Sequence, residues 1–393
     1  MLVRRCHILR LEPRELASFD LAGLLAGGTG VSSRMQWIAH APHLDAAVEV
    51  DVGDIELLGS LGPHDWTSAV PLRARHGRGR VQRLLRAGLL IARGKAWAQA
   101  RLADERLRVQ HWHASAALLH ADSRWQGVDA VRENADTGLD HAAGVRERFG
   151  APPPAVRERQ REGRIGLPRS KGGSFDELLD ARSTCRNFDT GRMLPRAALA
   201  KMLERVFGAR ARIPAAAEFE LLKKTSPSGG ALHPTDAYLV VRQVRGVAPG
   251  LYHYDPVAHA LDPLPWAGGE AGLATLARTA VAGQDYFADA HVLVVLAPRF
   301  ARNFWKYRNH AKAYRVCILD AGHLSQTLFL SATEQGLGAF ITAAINEIDI
   351  ERAFGLTGYV DGPLAVCGFG IRARSMVAAE LDPNGKVWRQ GRR

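Results

Sequence analysis

The sequence has few cysteines and no long apolar run, and each shortage excludes a class of protein. Its 393 residues include only four cysteines, far apart and without a C-x-x-C pair, so neither a disulfide framework nor a structural zinc site is expected. No run of 18 apolar residues is present, and Met1 to Arg10 has no apolar signal-peptide core. We therefore expect a cytoplasmic protein with reduced thiols, no membrane association and no metal site.

Two phosphate-binding signatures are also missing. The stretch SPSGGALHPTDAYLVV runs from Ser226 to Val241, and no G-K-[ST] follows its glycines, which excludes a Walker A loop. The glycines precede an apolar run, Ala237 to Val241, that predicts a buried strand, whereas a dinucleotide fingerprint leads from a strand into a helix. The pattern therefore predicts a donor-rich loop, stiffened by Pro227 and Pro234, set directly on a rigid strand.

What is present is a basic, globular chain that is long enough for more than one domain. Hydrophobic residues make up 47% of the sequence, and the net charge is +12. The arginines are spread over many segments, which indicates acidic partners without identifying one. The segment 144–173 has the proline- and charge-rich composition of an extended connector. We predict an N-terminal module over 1–143, this linker, and a second domain over 174–393.

Residues 54–95 predict a winged helix-turn-helix within the N-terminal module. Two apolar runs at helical spacing are separated by a Gly-Pro pair, and a short apolar strand follows the second run. A small helical domain of another kind would show the same pattern. The module could read DNA, or it could pair a leader peptide with the edge of its wing. In the first case the phosphate contacts would come from Arg78, Arg80, Arg83 and Arg86.

A second basic segment separates two predicted helices in the C-terminal half. It runs from Arg182 to Asp189, and the next helix begins at Pro195, a residue suited to a first turn. Two arginines and two hydroxyls stand close together at the end of the first helix: Arg182, Ser183, Thr184 and Arg186. Because guanidinium groups bind phosphate in a bidentate manner and hydroxyls donate or accept hydrogen bonds, the segment predicts a phosphate and polyol clamp.

Six motifs resemble, in order, those of SagB/ThcOx-type dehydrogenases of the nitroreductase superfamily. They cover roughly residues 176–375 and read RSTCRNF, SPSGGALHPTDAYLVV, GLYHYDP, FWKYRNHAKAYR, DAGHLSQTLFLSATEQGLGAF and CGFGIR. The resemblance implies an α+β, nitroreductase-like fold with a central, mostly antiparallel sheet flanked by helices. It also implies FMN at a homodimer interface and redox chemistry on a peptide.

The resemblance further assigns FMN-binding roles to three segments and to the C-terminal arginines. The second of these segments, Pro227 to Gly230, would lie along the flavin from the partner subunit. The third, which contains Gln326 and Gly336 to Gly338, would approach the isoalloxazine ring. Ser183 stands where the family has a second arginine, so Arg372 or Arg374 could share the phosphate. The segments comprise Arg182, Ser183, Thr184 and Arg186; Pro227, Ser228, Gly229 and Gly230; and Gln326, Gly336, Leu337 and Gly338.

Lys306 and Tyr307 match the family's candidates for proton transfer. Oxidation of a C–H bond by a flavin needs a hydride acceptor, which the cofactor supplies, and a base, which the protein supplies. The ordinary pKa of both side chains lies near 10. We therefore expect burial or the neighbouring cations Arg302 and Arg308 to lower the pKa of at least one of them.

Three functions follow as hypotheses. The first is an FMN-dependent dehydrogenase that matures a ribosomally made precursor peptide by oxidising azoline to azole, with a cyclodehydratase as a possible partner. The second is a flavin enzyme that uses NAD(P)H to reduce dehydroamino acids, nitro compounds or quinones. The third is a DNA-binding regulator with a degenerate nitroreductase-like half. Because the Lys-Tyr pair and both glycine loops are intact, we do not expect nucleic acid as a partner.

Overall fold

The computed structural model describes residues 1–157 and 163–388. Five residues of the predicted linker, 158–162, and the last five of the predicted second domain, 389–393, lie outside the described residues. The chain forms two compact units. The first contains Met1–Arg124 and Asn303–Tyr314, and the second contains Trp125–Arg302 and Arg315–Arg393.

The first unit contains two small sheets and a group of short helices. One sheet has the strand order β5-β1-β6 and the other β2-β3-β4, and all pairs are antiparallel. Its elements are β1 (Leu2–Arg5), β2 (Arg10–Phe19), α1 (Leu21–Leu25), β3 (Val31–His40), β4 (Val48–Val50), α2 (Val52–Gly59), β5 (Thr67–Ser68), α3 (Ala69–His76), α4 (Arg78–Arg86), β6 (Leu90–Ala92), a 3₁₀ turn (Lys95–Trp97), α5 (Ala98–Val109) and α6 (Ala114–Asp122).

Residues 54–95, for which a winged helix-turn-helix is predicted, contain part of α2, then β5, α3, α4 and β6. The leucines of α2 and the apolar residues of α4 are buried in one core with β1 and β6. The sequence prediction lacked α3, which carries Pro71. The proline is compatible with the helix because it stands in the first turn, where Ser68 accepts a hydrogen bond from the Val70 N–H as the N-cap.

The second unit is built on a six-stranded sheet of order β11-β10-β9-β12-β14-β13, in which every neighbouring pair is antiparallel. A separate hairpin joins β7 and β8. The remaining elements of the chain are α7 (Ala130–Asp136), α8 (Ala142–Phe149), α9 (Ser174–Ala181), α10 (Arg196–Val206), β7 (Ala211–Ala216), β8 (Phe219–Lys223), a 3₁₀ turn (Gly229–Ala231), β9 (Thr235–Val241), β10 (Gly250–Asp255), β11 (Ala260–Leu264), α11 (Gly269–Ala280), α12 (Asp285–Ala288), β12 (Val292–Pro298), α13 (Phe300–Phe304), α14 (Ala313–Glu334), β13 (Leu337–Thr342), α15 (Glu347–Phe354) and β14 (Ala365–Ile371).

Helices cover both faces of this sheet. The central strands β9 and β12 are apolar on both sides, as strands buried on two faces must be. Alternate residues of β12 enter one core with α10 and α14, and the others enter a second core with α11, α12 and α15. The expected α+β fold with a central antiparallel sheet flanked by helices is therefore confirmed.

The chain enters the second unit earlier than the composition of 144–173 indicates. Immediately after the first unit, the Trp125 N–H donates to Glu347 at 2.8 Å, and the Gly127 N–H donates to Asp349 at 2.7 Å. Both acids lie on α15. These hydrogen bonds tie residues that composition assigned to the N-terminal module to the second unit.

Candidate functional site

The segment Arg182 to Asp189, called here the arginine loop, is fixed to the edge of the large sheet. The Cys185 N–H donates to the Ala339 carbonyl at 2.8 Å, and the Asp189 N–H donates to the Ile371 carbonyl at 2.9 Å. The loop therefore runs beside β13 and the end of β14. Its backbone is ordered by the sheet, although the segment itself contains neither a helix nor a strand of the main sheet.

Neither arginine of this loop pairs with a carboxylate of the described residues. The Arg186 guanidinium donates to the Ala379 carbonyl at 3.4 Å. Arg182 instead lies against an aromatic ring. It follows the last residue of α9, is half-buried, and its guanidinium carbon lies 5.4 Å from the centre of the Phe329 ring. No carboxylate of the described residues makes an ion pair with it. An aromatic face orients a guanidinium without neutralising its charge, so Arg182 is available to an anionic ligand.

In contrast to Arg182, Arg372 has internal partners, one of them a carboxylate. Its guanidinium forms an ion pair with Glu380 and donates to the Ser183 Oγ at 3.1 Å. Arg374 is exposed and follows β14 by three residues. The structure therefore brings Arg372 to the arginine loop at Ser183, the position where a second arginine was expected.

The segment Ser226 to His233, called here the glycine loop, is held on α14 by a buried carboxylate. Asp320 accepts the Ser228 hydroxyl at 2.5 Å and the Gly229 N–H at 3.3 Å. Burial raises the pKa of Asp320, and the two hydrogen bonds oppose that rise. The sequence analysis missed Asp320, although it is the single charged residue between Arg315 and Glu334.

Two of the predicted flavin-facing glycines are required by packing within the unit. A Cβ on Gly229 would lie 2.3 Å from a Val316 methyl on α14, and a Cβ on Gly338 would lie 2.3 Å from the Cys185 sulfur. The absence of a side chain at Gly338 therefore allows the arginine loop to pack against β13. The glycines at 230 and 336 have φ of 64° and 68°, and glycine is preferred in this left-handed region.

A buried lysine lies beneath the glycine loop. Lys224 is 5% exposed, and burial lowers its pKa to about 8. It lines a small recess with residues of the glycine loop, the start of β9 and α14: Pro227, Ser228, His233, Thr235, Asp320 and Leu324. Within the described part of the chain Lys224 makes no ion pair, and the Thr235 hydroxyl is buried without a hydrogen-bond partner. The sequence analysis did not select Lys224, because adjacent lysines at 223 and 224 resemble ordinary surface residues.

Lys306 and Tyr307 lie in the first unit. The Lys306 Nζ is 5.5 Å from the centre of the Tyr307 ring; the lysine is exposed and the tyrosine is half-buried. The Tyr307 N–H donates to the Asn303 carbonyl at 3.2 Å, which fixes the backbone of the pair. Of the two neighbouring cations, Arg308 donates to the Trp305 carbonyl at 3.2 Å.

The exposed face of α14 carries Gln326 together with apolar residues. Gln326 is exposed, and Ile318 and Leu319 on the same helix are 47% and 57% exposed. Exposed branched aliphatic side chains on a helix whose opposite face fills the core indicate a surface for a partner or ligand.

The residues present fit an FMN phosphate and ribityl chain. The arginine loop offers an unneutralised guanidinium, Arg182, beside the Thr184 hydroxyl, and such groups bind phosphate and polyols. Residues 1–157 and 163–388 contain no group of three His, Cys, Asp or Glu side chains arranged to hold a metal ion. The four cysteines lie in this part of the chain, and none forms a disulfide. In the same part, no helix combines the length and apolar character needed to cross a bilayer.

The family described as "Nitroreductase family" matches residues 179–371. The trifolitoxin-processing protein TfxB of Rhizobium leguminosarum bv. trifolii is 30% identical over 148 residues, which is 37% of this chain and 39% of TfxB. The microcin B17-processing protein McbC of Escherichia coli is 26% identical over 154 residues, 38% of this chain and 54% of McbC. The matched segments thus span about half, or less, of these relatives.

A solved structure confirms the fold. A chain of the E. coli microcin synthetase McbBCD complex, with truncated pro-MccB17 bound, superposes with a TM-score of 0.50 at 20% identity. The superposition covers 68% of this chain and 97% of that chain. Residues 179–371 therefore form a nitroreductase-family domain, and the motifs identify it as a member of the SagB type.

Proposed function

We propose that this chain is an FMN-dependent dehydrogenase that matures a ribosomally made peptide by oxidising an azoline ring to an azole. The observation that carries the proposal is the similarity of this domain to two proteins that process trifolitoxin and microcin B17. The six ordered motifs support the same reading. The substrate would be a precursor peptide, and a cyclodehydratase partner would form the azoline ring first.

Arg182 would hold the flavin phosphate, because it lacks an internal anion and follows the end of α9, whereas the Arg186 guanidinium already donates to the Ala379 carbonyl. Thr184 and Arg186 would hold the ribityl chain, and the glycine loop would form a wall of the site. Ile318 and Leu319 on the exposed face of α14 support a homodimer in which the glycine loop of one subunit serves the flavin of the other. Bound FMN would supply a hydride acceptor at N5.

The protein's own part of the reaction is proton transfer and orientation. Conversion of azoline to azole removes two hydrogens from the ring: one leaves as a hydride to the flavin, and the other leaves as a proton. Lys306 and Tyr307 would accept that proton, directly or through each other. Dioxygen would be the terminal acceptor, taking up the two electrons and two protons removed from the ring as hydrogen peroxide.

The winged region supports a peptide-binding role over duplex DNA binding. Two of the four arginines that could meet phosphates are already paired: Arg80 and Arg83 both contact Asp51 and Asp54, and the Asp54 side chain is fully buried. Paired arginines release few counterions on DNA, so affinity for duplex would be low at physiological salt. We propose that this module holds the leader segment of the precursor peptide.

The proposal is tested by mass spectrometry of azoline-containing precursor peptides after incubation with the purified protein. A loss of two hydrogens per ring, with a yellow protein that is bleached by the peptide and recoloured by air, is expected. Lys306→Ala and Tyr307→Phe should retain flavin but lose turnover by at least about 100-fold, the range of a general base.

Lys312→Ala is the matched control, since Lys312 is an exposed lysine in the same segment and should leave turnover unchanged. A purified protein that retains no added FMN would refute the proposal at its first step. Flavin that is bleached by NAD(P)H, with no change in the peptide's mass, would favour the reductase hypothesis instead.

A further inference from the structure

Glu380 is a buried carboxylate in the C-terminal segment, and four donors surround it. It accepts the Arg186 backbone N–H at 2.6 Å, the Asn187 side-chain amide at 2.8 Å and the Trp388 indole N–H at 2.9 Å. The fourth donor is the guanidinium of Arg372. The Glu380 side chain has no exposed surface.

These contacts keep the carboxylate ionised. Burial alone would raise the pKa of Glu380, but the N–H donors and the charge of Arg372 outweigh it and hold the pKa below its ordinary value. The surrounding segment is fixed as well. Asn187 accepts the backbone N–H groups of Val377 and Ala378 at 2.7 and 2.8 Å, so the C-terminal segment is anchored to the arginine loop.

Arg372 is held between Glu380 and the Ser183 hydroxyl. A guanidinium has five N–H donors, so these two contacts leave further donors for an anion. Ser183 is also the position at which this chain departs from the two-arginine pattern of its family. The guanidinium of Arg372 therefore lies at Ser183, the position at which the loop lacks its second arginine.

Resting on the function proposed above, we propose that Glu380 is a positioning residue of the flavin phosphate site: it fixes Arg372 at Ser183 in place of the missing arginine. Arg182 then supplies the unneutralised positive charge of the site, and Arg372, paired with Glu380, supplies its remaining N–H donors. Because Glu380 acts only on the binding of the phosphate, its loss weakens the binding of FMN and not that of riboflavin, which has the same ring and ribityl chain without the phosphate.

The test is titration of flavin-free protein with FMN and, separately, with riboflavin, followed by flavin fluorescence. Glu380→Gln keeps the size of the side chain but removes its charge and presents an amide to cationic donors. The expected result is a rise in the Kd for FMN of about tenfold, the worth of a charged hydrogen bond, with the Kd for riboflavin unchanged. Glu334→Gln is the control, because Glu334 also pairs with arginine but on the exposed surface; it should change neither Kd.

Trp388→Phe is a second variant, which removes one donor to Glu380 and leaves both charges. It should raise the Kd for FMN about twofold to fivefold, again without effect on riboflavin. A parallel weakening of both flavins in Glu380→Gln, no change in either, or tighter FMN binding would each overturn the inference. Tighter binding would mean that the carboxylate competes with the phosphate. Wild-type protein that binds neither flavin would overturn the proposed function, and this inference with it.

Discussion

The close approach of Gly229 to Val316 leads to a prediction that separates two reasons for a glycine in the glycine loop. The sequence places Gly229 where bare backbone could meet a flavin, whereas the structure places it against α14. A Cβ at this position would lie 2.3 Å from the Val316 Cγ1, and 3.5–4.0 Å is a normal carbon–carbon contact. Valine is stiff about χ1, so the methyl cannot turn away without cost.

Gly229→Ala should therefore lower the free energy of unfolding by about 1–3 kcal/mol, the usual cost of overpacking. Gly229 is not among the residues with positive φ, so backbone strain adds nothing. Val316→Ala alone should cost about 1 kcal/mol, because the side chain is half-buried. The double variant removes the clash. Its loss in free energy of unfolding should therefore be smaller than the sum of the losses in the two single variants by at least about 1 kcal/mol.

Chemical denaturation followed by circular dichroism measures all three free energies. Gly230→Ala is the matched control: its φ of 64° imposes a cost of roughly 1–2 kcal/mol that Val316→Ala cannot relieve. A coupling energy near zero between positions 229 and 316 would refute the packing explanation. If the double variant regains stability but still fails to bind FMN, bare backbone at Gly229 serves the ligand as well.

Three further predictions concern buried charged groups. Burial lowers the pKa of Lys224 to about 8 in the folded protein, whereas a lysine in the unfolded chain has a pKa of about 10.4. Between these two pH values only the unfolded chain carries the proton, so the free energy of unfolding should rise with pH. Urea titrations should show this rise in wild type and not in Lys224→Met. Asp320→Asn should speed amide hydrogen exchange at Gly229 several-fold, since an amide has one acceptor oxygen and cannot accept both the Ser228 hydroxyl and the Gly229 N–H as the carboxylate does; unchanged exchange would show that Asp320 does not hold the loop. Asp54→Ala should cost about 2 kcal/mol in denaturation, because two arginines lose a buried partner; a neutral result would contradict a structural role for that cluster.

Local patterns predicted the elements that carry the site. The apolar run after the glycine loop is β9, Pro195 directly precedes α10, and a helix ends before Gly336 and leads into β13. Each follows from short-range physics: a strand buried on both faces, the fixed φ of proline, and the left-handed residue that ends a helix. The long β2–β3 hairpin and α3 were not predicted.

The residues that hold the loops were missed because their partners are distant in sequence. Asp320 lies 91 positions from Gly229, and Glu380 lies 194 positions from Arg186. A single acidic residue in a helix or near a chain end belongs to no local sequence pattern. Its hydrogen-bond donors come from distant segments, so the sequence alone does not indicate its role. The reason for glycine at 338 was hidden in the same way, since Cys185 comes from another segment.

Net charge is a poor guide to what this protein binds, because it does not show which arginines are already paired with internal carboxylates. The formal charge of +12 favours acidic partners, yet Arg4 and Arg108 share the buried Asp104, and Arg299 pairs with Asp236. Each pairing removes a cation from the surface available to a polyanion. Arg182 and Arg186 differ, because aromatic rings lie beside their guanidinium groups and no carboxylate of the described residues pairs with them. An unpaired guanidinium on an ordered loop is a more specific indication of a phosphate site than an excess of positive charge. It is the reason to expect a small phosphorylated cofactor at this loop.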